Sequence, residues 1–128
     1  MALQAPLSQY QQVSNQEAVS GASPHRLIQM LMEGALKRMA EAKGAIQRGD
    51  VAAKGQAIGK AVSIIGGLRD SLNMEVPGGL SQRLDDLYDY MVTLLVQANV
   101  NNRESAVDEA ARLMATIKSG WDAIADQV

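Results

Sequence analysis

The sequence predicts an all-α fold, an antiparallel four-helix bundle with an additional short N-terminal helix or cap segment. Four long stretches carry apolar residues at three- and four-residue spacing, which is typical of one face of a helix, and no stretch alternates with the period of a strand. The 128 residues include no phenylalanine and only four aromatic side chains. The core must therefore be built from aliphatic side chains and methionine, which suit helices better than sheets.

Two units are predicted along the chain. Residues 1–22 form a flexible N-terminal cap segment rich in glutamine, serine and alanine, in which Leu3, Leu7, Tyr10 and Val13 are spaced like one side of a short helix. Such a helix would be too short to be stable alone. Residues 23–128 form the bundle, and this length is enough to bury a core without a metal or a disulfide.

The first long helix is predicted to begin at Pro24, with Ser23 as its N-cap, and to run to about Arg48. Serine is a favoured N-cap, and proline at the first helical position loses no hydrogen bond. Gly49 and Asp50 are expected to end this helix and to cap the next one.

The second helix, from Val51 to Leu72, is apolar or bare glycine on more of its circumference than one neighbouring helix can cover. One stripe is expected to face the core: Ile58, Ala61, Ile65, Leu68 and Leu72. Ala57 and Ile64 lie on one flank of this stripe, and the other flank carries Gly55, Gly59, Val62 and Gly66. A glycine inside a helix costs about 0.5–1 kcal/mol relative to alanine. An offsetting contact is therefore expected, either close packing between the bundle's own helices or the approach of another chain.

The third and fourth helices follow a Val-Pro-Gly-Gly turn at residues 76–79, which a helix cannot cross. Ser81 is predicted to cap the third helix, residues 99–102 to break it, and Glu104 to start the fourth. Their expected core faces are Leu84, Leu87, Tyr88, Met91, Leu95 and Ala98, then Val107, Ala110, Met114, Ile117, Trp121 and Ile124. Tyr90 lies about 160° from Tyr88 around the helix, so one of the two rings is expected at an edge of the core.

Composition excludes several classes of function. The net charge of −2 gives no bulk attraction to nucleic acid or to anionic lipid. The start of the sequence lacks the basic leader and apolar run of a signal peptide, and no stretch approaches the ~20 apolar residues that span a bilayer. A cytoplasmic protein that neither binds nucleic acid nor inserts into a membrane is therefore expected.

Catalytic, cofactor-binding and metal-binding motifs are not found. Without cysteine, and with His25 as the single histidine, a thiol nucleophile or a histidine-rich metal site cannot be built. His25 is expected to be a solvated residue in the first turn of its helix. Asp85 and Asp89 share a helix face, where acidic residues near an N-terminus are favoured by the helix dipole. A small helical enzyme using these two carboxylates is kept as an alternative, but no enzyme, cofactor or metal is predicted.

Several segments of the chain stand out together: residues 22–36, ASPHRLIQMLMEGAL, residues 84–91, LDDLYDYM, and residues 95–99, LVQAN. Tyr10 lies ahead of the bundle and Trp121 near its end. In their order and spacing these segments resemble the flagellar secretion chaperone family FliS, which usually carries a tyrosine and a tryptophan at these two places.

The resemblance implies a cytoplasmic export chaperone. Members of this family are helical bundles that bind the disordered C-terminal segment of flagellin, prevent its premature polymerisation and deliver it to the flagellar type III export apparatus. The N-terminal segment of the family is expected to fold over part of the binding surface when flagellin is absent.

A partner-binding surface is predicted from helical geometry. It consists of Tyr10 in the cap segment together with Ala57, Gly59, Val62, Ile64, Gly66, Tyr90 and Val96. Which flank of the second helix faces the partner, the side of Ala57 and Ile64 or the glycine side, is left open. The free protein is expected to be a monomer or a weak dimer. The alternative function is a helical oligomerisation or adaptor module without a secreted client, in which a symmetric dimer buries the surplus apolar surface.

Overall fold

The computed structural model describes residues 22–127 and places four long α-helices in this part of the chain. They are α1 (Pro24–Arg48), α2 (Val51–Asp70), α3 (Leu80–Asn101) and α4 (Glu104–Ala123), followed by a 3₁₀ turn at Ala125–Gln127. Helix α1 packs on α2 and α4, and α3 packs on the same two helices. The predicted all-α four-helix bundle is confirmed, while residues 1–21 of the predicted cap segment, residues 1–22, lie outside the described residues.

Polar contacts between α1 and α4 show that these helices are antiparallel. Gln29, near the start of α1, donates to Asp122 near the end of α4. Lys43, near the end of α1, lies 2.9 Å from the carboxylate of Asp108 near the start of α4. The first and last helices of the bundle are therefore held together at both ends.

The ends of α1 and the start of α2 follow the predicted caps. The Ser23 hydroxyl accepts a hydrogen bond from the backbone N–H of Arg26 at 3.1 Å. Gly49 ends α1 in the left-handed region, at φ 70°, where glycine has no steric penalty. The Asp50 carboxylate then accepts from the backbone N–H of Ala53 at 3.1 Å and caps α2. The sequence signals were sufficient here because every partner lies within four residues.

The start of α3 differs from the prediction. Gly79, at φ 73°, is the N-cap and makes no side-chain cap hydrogen bond. Ser81 lies inside the helix, and its hydroxyl donates to the backbone carbonyl of Asn73 at 2.8 Å. The expected Ser81 cap is therefore wrong, because this hydroxyl closes the turn between α2 and α3 instead.

The core lies where the inner faces of the four helices meet. Buried residues of the predicted α2 stripe are Ile58, Ala61, Ile65 and Leu68, and the largest fully buried side chains are Met39, Ile65, Leu68, Met91, Leu95, Met114 and Val107. Methionine, which is flexible, fills space that aromatic rings would otherwise occupy. One expected core residue, Leu87, is instead 36% exposed.

Tyr88 is buried in this core, and its burial has a measurable consequence at high pH. Desolvation raises the pKa of its hydroxyl from 10.0 to about 12. The folded state therefore holds this proton more tightly than the unfolded chain does. The free energy of unfolding is unaffected by this group below pH 10 and falls as the pH rises from 10 to 12. We expect the titration of Tyr88 to make the free energy of unfolding about 1.4 kcal/mol lower at pH 11 than it is below pH 10. Urea titrations of wild type and Tyr88→Phe between pH 8 and 11 would measure this, and parallel pH profiles for the two proteins would contradict it.

His25 is buried, in contrast to the prediction of a solvated residue. Its ring stacks on that of Trp121 in α4, with 4.4 Å between the ring centroids, and it is only 8% exposed. The Trp121 indole N–H donates to the His25 backbone carbonyl at 2.9 Å. These contacts tie the start of α1 to the end of α4. They could not be read from the sequence near His25, because Trp121 lies 96 residues away.

Candidate functional site

The two flanks of α2 have different environments. Ala57 is 5% exposed and Ile64 is 2% exposed, so both side chains are core residues. Ile64 offers no surface to a partner and Ala57 only a small one, so the expectation that this flank is open is not met. Helix α1 packs on α2, and Ala57 lies on the side of α2 that faces α1.

The glycine flank of α2 is the open one. Gly55 and Gly59 are exposed, and Gly66 is half-buried. A Cβ built on any of these three glycines meets no atom within 4 Å among the described residues. Close packing between the bundle's own helices therefore does not explain why these positions lack side chains.

Contacts between α2 and α3 set the register of the helices beside this flank. At one end, Arg69 lies 2.7 Å from the Asp85 carboxylate. At the other end, the Lys54 ammonium donates to the backbone carbonyl of Asn99 at 2.8 Å. In an antiparallel pair this register places Val62 opposite residue 92. It also places Gly59 and residue 96 at similar positions along the two helix axes.

Val96 extends the open flank onto α3. It is 50% exposed, and Val62 is half-buried against the core. We call the surface formed by these residues the glycine face: Gly55, Gly59, Val62, Gly66 and Val96. The structure thus brings together four of the eight predicted site residues, namely Gly59, Val62, Gly66 and Val96.

Charged residues lie at the two ends of the glycine face. The Arg69 guanidinium donates to Asp85 through two nitrogens and to Asp89 at 3.3 Å, and the Asp85 hydrogen bond is the main cause of the raised pKa of Arg69. The Lys54 ammonium is buried, and it also donates to the Asn102 side chain at 2.6 Å. Asp85 and Asp89 therefore serve as ion-pair partners between helices, which accounts for their shared face without catalysis.

Tyr90 lies on the opposite side of α3. Its ring is 44% exposed, which agrees with the prediction that one of the two tyrosines sits at an edge. The hydroxyl donates to the Glu109 carboxylate in α4 at 2.6 Å, and this hydrogen bond is the main cause of the raised pKa of Tyr90. Tyr90 is therefore separate from the glycine face, and Tyr10 lies outside the described residues.

The glycine face is suited to binding a helix rather than to chemistry. Its residues carry no nucleophile, acid or base, and no three metal-ligating side chains cluster anywhere in residues 22–127. Glycines one turn apart let another backbone approach closely, and the adjoining valines provide apolar contact. The arrangement favours recognition of an apolar helical segment.

Comparison with known proteins identifies the family. The sequence model of the family described as "Flagellar protein FliS" matches residues 6–128. The chain belongs to the FliS family. Its relatives are named as chaperones, and the prediction that the chain is not an enzyme is confirmed by this membership.

Three relatives show how far the similarity to FliS proteins extends. The flagellar secretion chaperone FliSB of Pseudomonas aeruginosa is 52% identical over 118 residues, which cover 92% of this chain and 94% of the relative. The flagellar secretion chaperone FliS of Vibrio cholerae is 42% identical, with 95% and 90% covered. FliS of Salmonella typhimurium is 43% identical, with 90% and 86% covered. The similarity therefore includes the whole bundle.

Of the helices within residues 22–127, none combines the length and the apolar character that crossing a bilayer requires.

Proposed function

We propose that this protein is a cytoplasmic flagellar export chaperone that binds the C-terminal segment of flagellin through the glycine face. Binding keeps flagellin from polymerising prematurely and delivers it to the flagellar type III export apparatus. The observation that carries the proposal is the open glycine flank of α2 in a chain of the FliS family.

Energetics supports a surface of this kind. A client segment that is disordered when free loses conformational entropy on binding, so the chaperone must offer enough apolar contact to offset this loss. The glycine face offers Val62 and Val96, with positions at Gly55 and Gly59 where a client backbone can approach α2 closely.

The cap segment has a role in the same proposal. Exposed apolar surface promotes aggregation, so a removable cover over it is an advantage when no client is bound. We propose that residues 1–22 cover part of the glycine face in the free protein, with Tyr10 among the covering side chains.

Replacing Val96 by glutamate tests the proposed surface. Half of this side chain is already exposed, so the change leaves the core intact. We expect the affinity for a synthetic peptide of the flagellin C-terminal segment to fall about tenfold or more, because a carboxylate would be buried against apolar client side chains. Isothermal titration calorimetry with the full chain measures the affinity.

Val76→Glu is the matched control for this experiment. Val76 is exposed to a similar extent but lies in the turn between α2 and α3, away from the glycine face. Its affinity for the peptide should stay within about twofold of wild type. Equal affinities for Val96→Glu and wild type, with both folds intact by circular dichroism, would rule out the glycine face as the binding surface.

Sedimentation velocity separates this function from the alternative of an oligomerisation module. We expect the free protein to be a monomer or a weak dimer and to form a one-to-one complex with the peptide. A tight symmetric dimer that the peptide does not dissociate would favour the oligomerisation module.

A further inference from the structure

A surface cleft lies between α1 and α2, on the side of α2 away from the glycine face. Its volume is about 310 Å³. Small residues from both helices line it, Ala40 and Gly44 from α1 and Ala53 and Ala57 from α2. These residues come in pairs one helical turn apart on each helix, and their small size leaves space between the helices.

Cations surround this cleft. Arg48 and Lys60 line it together with the carboxylate of Glu41, and Lys37 lies one turn before Glu41 on α1. The pKa of the Glu41 carboxyl is lowered chiefly by its hydrogen bond with Arg38 and further by the charges of Lys37 and Lys60. Glu41 is thus one carboxylate close to several cations.

Among the described residues, Glu41 forms its close ion pair with Arg38, and Lys37 and Lys60 interact with it only over longer distances. Arg38 pairs with Glu41 at 2.9 Å, but no ion pair within 4.0 Å involves Lys37, Arg48 or Lys60 among residues 22–127. The cleft therefore carries excess positive charge on a protein whose net charge is −2.

We propose that this basic cleft binds a short acidic segment of a partner protein. Carboxylates of the segment pair with Lys37, Arg48 and Lys60, and a small apolar side chain packs against the alanines that line the cleft, Ala40, Ala53 and Ala57. Recognition of acidic motifs by clustered cations is an established mode of peptide binding. The proposal goes beyond the client surface, because the residues involved lie on the other flank of α2.

The shape and the charge distribution favour a peptide over other anionic partners. A lipid surface is flat and cannot fill a concave site, whereas a peptide side chain can. The overall negative charge of the protein opposes association with extended polyanions such as membranes or nucleic acid. A short peptide responds mainly to charges within about 8–10 Å, which is the screening length in physiological salt.

Fluorescence anisotropy with an acidic probe tests the proposal. Lys37 and Arg48 are separated by about 17 Å along α1, so the probe is a fluorescein-labelled helical peptide of about 14 residues with glutamates on one face and alanines between them. We expect it to bind the full chain, and its affinity to fall about fivefold or more in Lys60→Glu. Arg112→Glu, an equal charge change at an exposed position of α4, should leave the affinity within about twofold.

Gly44→Leu tests the role of the cleft without changing the charge. A Cβ at Gly44 would lie 3.1 Å from the flexible end of Arg48, which must move aside, and circular dichroism checks that the variant keeps its helical fold. We expect the leucine to fill the cleft and to weaken probe binding about fivefold or more. Unchanged binding in this variant, or equal losses in Lys60→Glu and Arg112→Glu, would overturn the proposal.

Three further measurements distinguish the other possible occupants. We expect the protein not to bind vesicles containing anionic phospholipid through this cleft, and not to self-associate through it at high concentration in sedimentation. In either measurement, the wild type and Lys60→Glu should behave alike. Association of either kind would replace the peptide by a membrane or by a second copy of the chain. The flagellin peptide should bind Lys60→Glu as it binds wild type, so a failure of the proposed client surface would leave the result for the acidic probe unaffected.

Discussion

Replacing Leu95 by alanine is expected to lower the free energy of unfolding by about 3–5 kcal/mol. Leu95 is fully buried in the C-terminal half of α3, where it packs with the core residues of the other helices. The change removes apolar burial and leaves a cavity that close-packed neighbours fill only in part. For a domain of this size, such a loss is a large fraction of the total stability. Urea denaturation followed by circular dichroism measures it.

Leu87→Ala is the control for this experiment, because it is the same substitution in the same helix. The Leu87 side chain is 36% exposed, so neighbouring side chains and solvent can fill the space it leaves. We expect a loss of about 1 kcal/mol or less. Similar losses for the two variants would contradict the assignment of Leu95 to the core and Leu87 to its edge.

Local signals in the sequence were sufficient to predict most of the fold. The helix ends at Ser23, Gly49 and Asp50 depend on hydrogen bonds within a few residues, and the structure agrees with them. The core stripe of α2 follows from helical periodicity alone. The expected Ser81 cap failed because the hydroxyl found a partner eight residues away in the preceding turn.

The candidate site could be predicted only in part, because its residues depend on which helices are neighbours. Periodicity separated the glycine flank from the flank of Ala57 and Ile64, but it could not decide which flank α1 covers. The positions of Tyr90 and Val96 on opposite sides of α3 likewise depend on where α2 and α4 lie.

The basic cleft was missed for the same reason. Residues 37–48 of α1 carry several cations and a single carboxylate, but Lys60 comes from α2, and the sequence does not show that the two helices leave a cleft between them. One signal was available: small residues one turn apart occur on both helices, at residues 40 and 44 and at residues 53 and 57. Facing pairs of small residues indicate either close packing of two helices or a cleft between them. Only the structure distinguishes these two cases.

Replacing Gly55, Gly59 and Gly66 together by alanine is expected to stabilise the protein and to weaken flagellin binding. Each added Cβ enters open space, so each substitution should gain about 0.5–1 kcal/mol of helix stability, or about 1.5–3 kcal/mol in sum. In the proposed complex the same three methyl groups prevent close approach of the client backbone, and we expect the affinity for the flagellin peptide to fall about tenfold. Thermal unfolding and calorimetric titration measure the two effects.

Gly120→Ala separates the two effects. Gly120 is exposed inside α4, and a Cβ there also meets no atom within 4 Å among the described residues. The variant should gain stability but keep its affinity for the peptide, because α4 contributes no residue to the glycine face. If the triple variant loses stability, the glycines serve packing inside the bundle. If it gains stability and keeps full affinity, the client does not approach α2 at these positions. Only a gain in stability joined to a loss of affinity shows that the cost of three helical glycines is offset by a bound client.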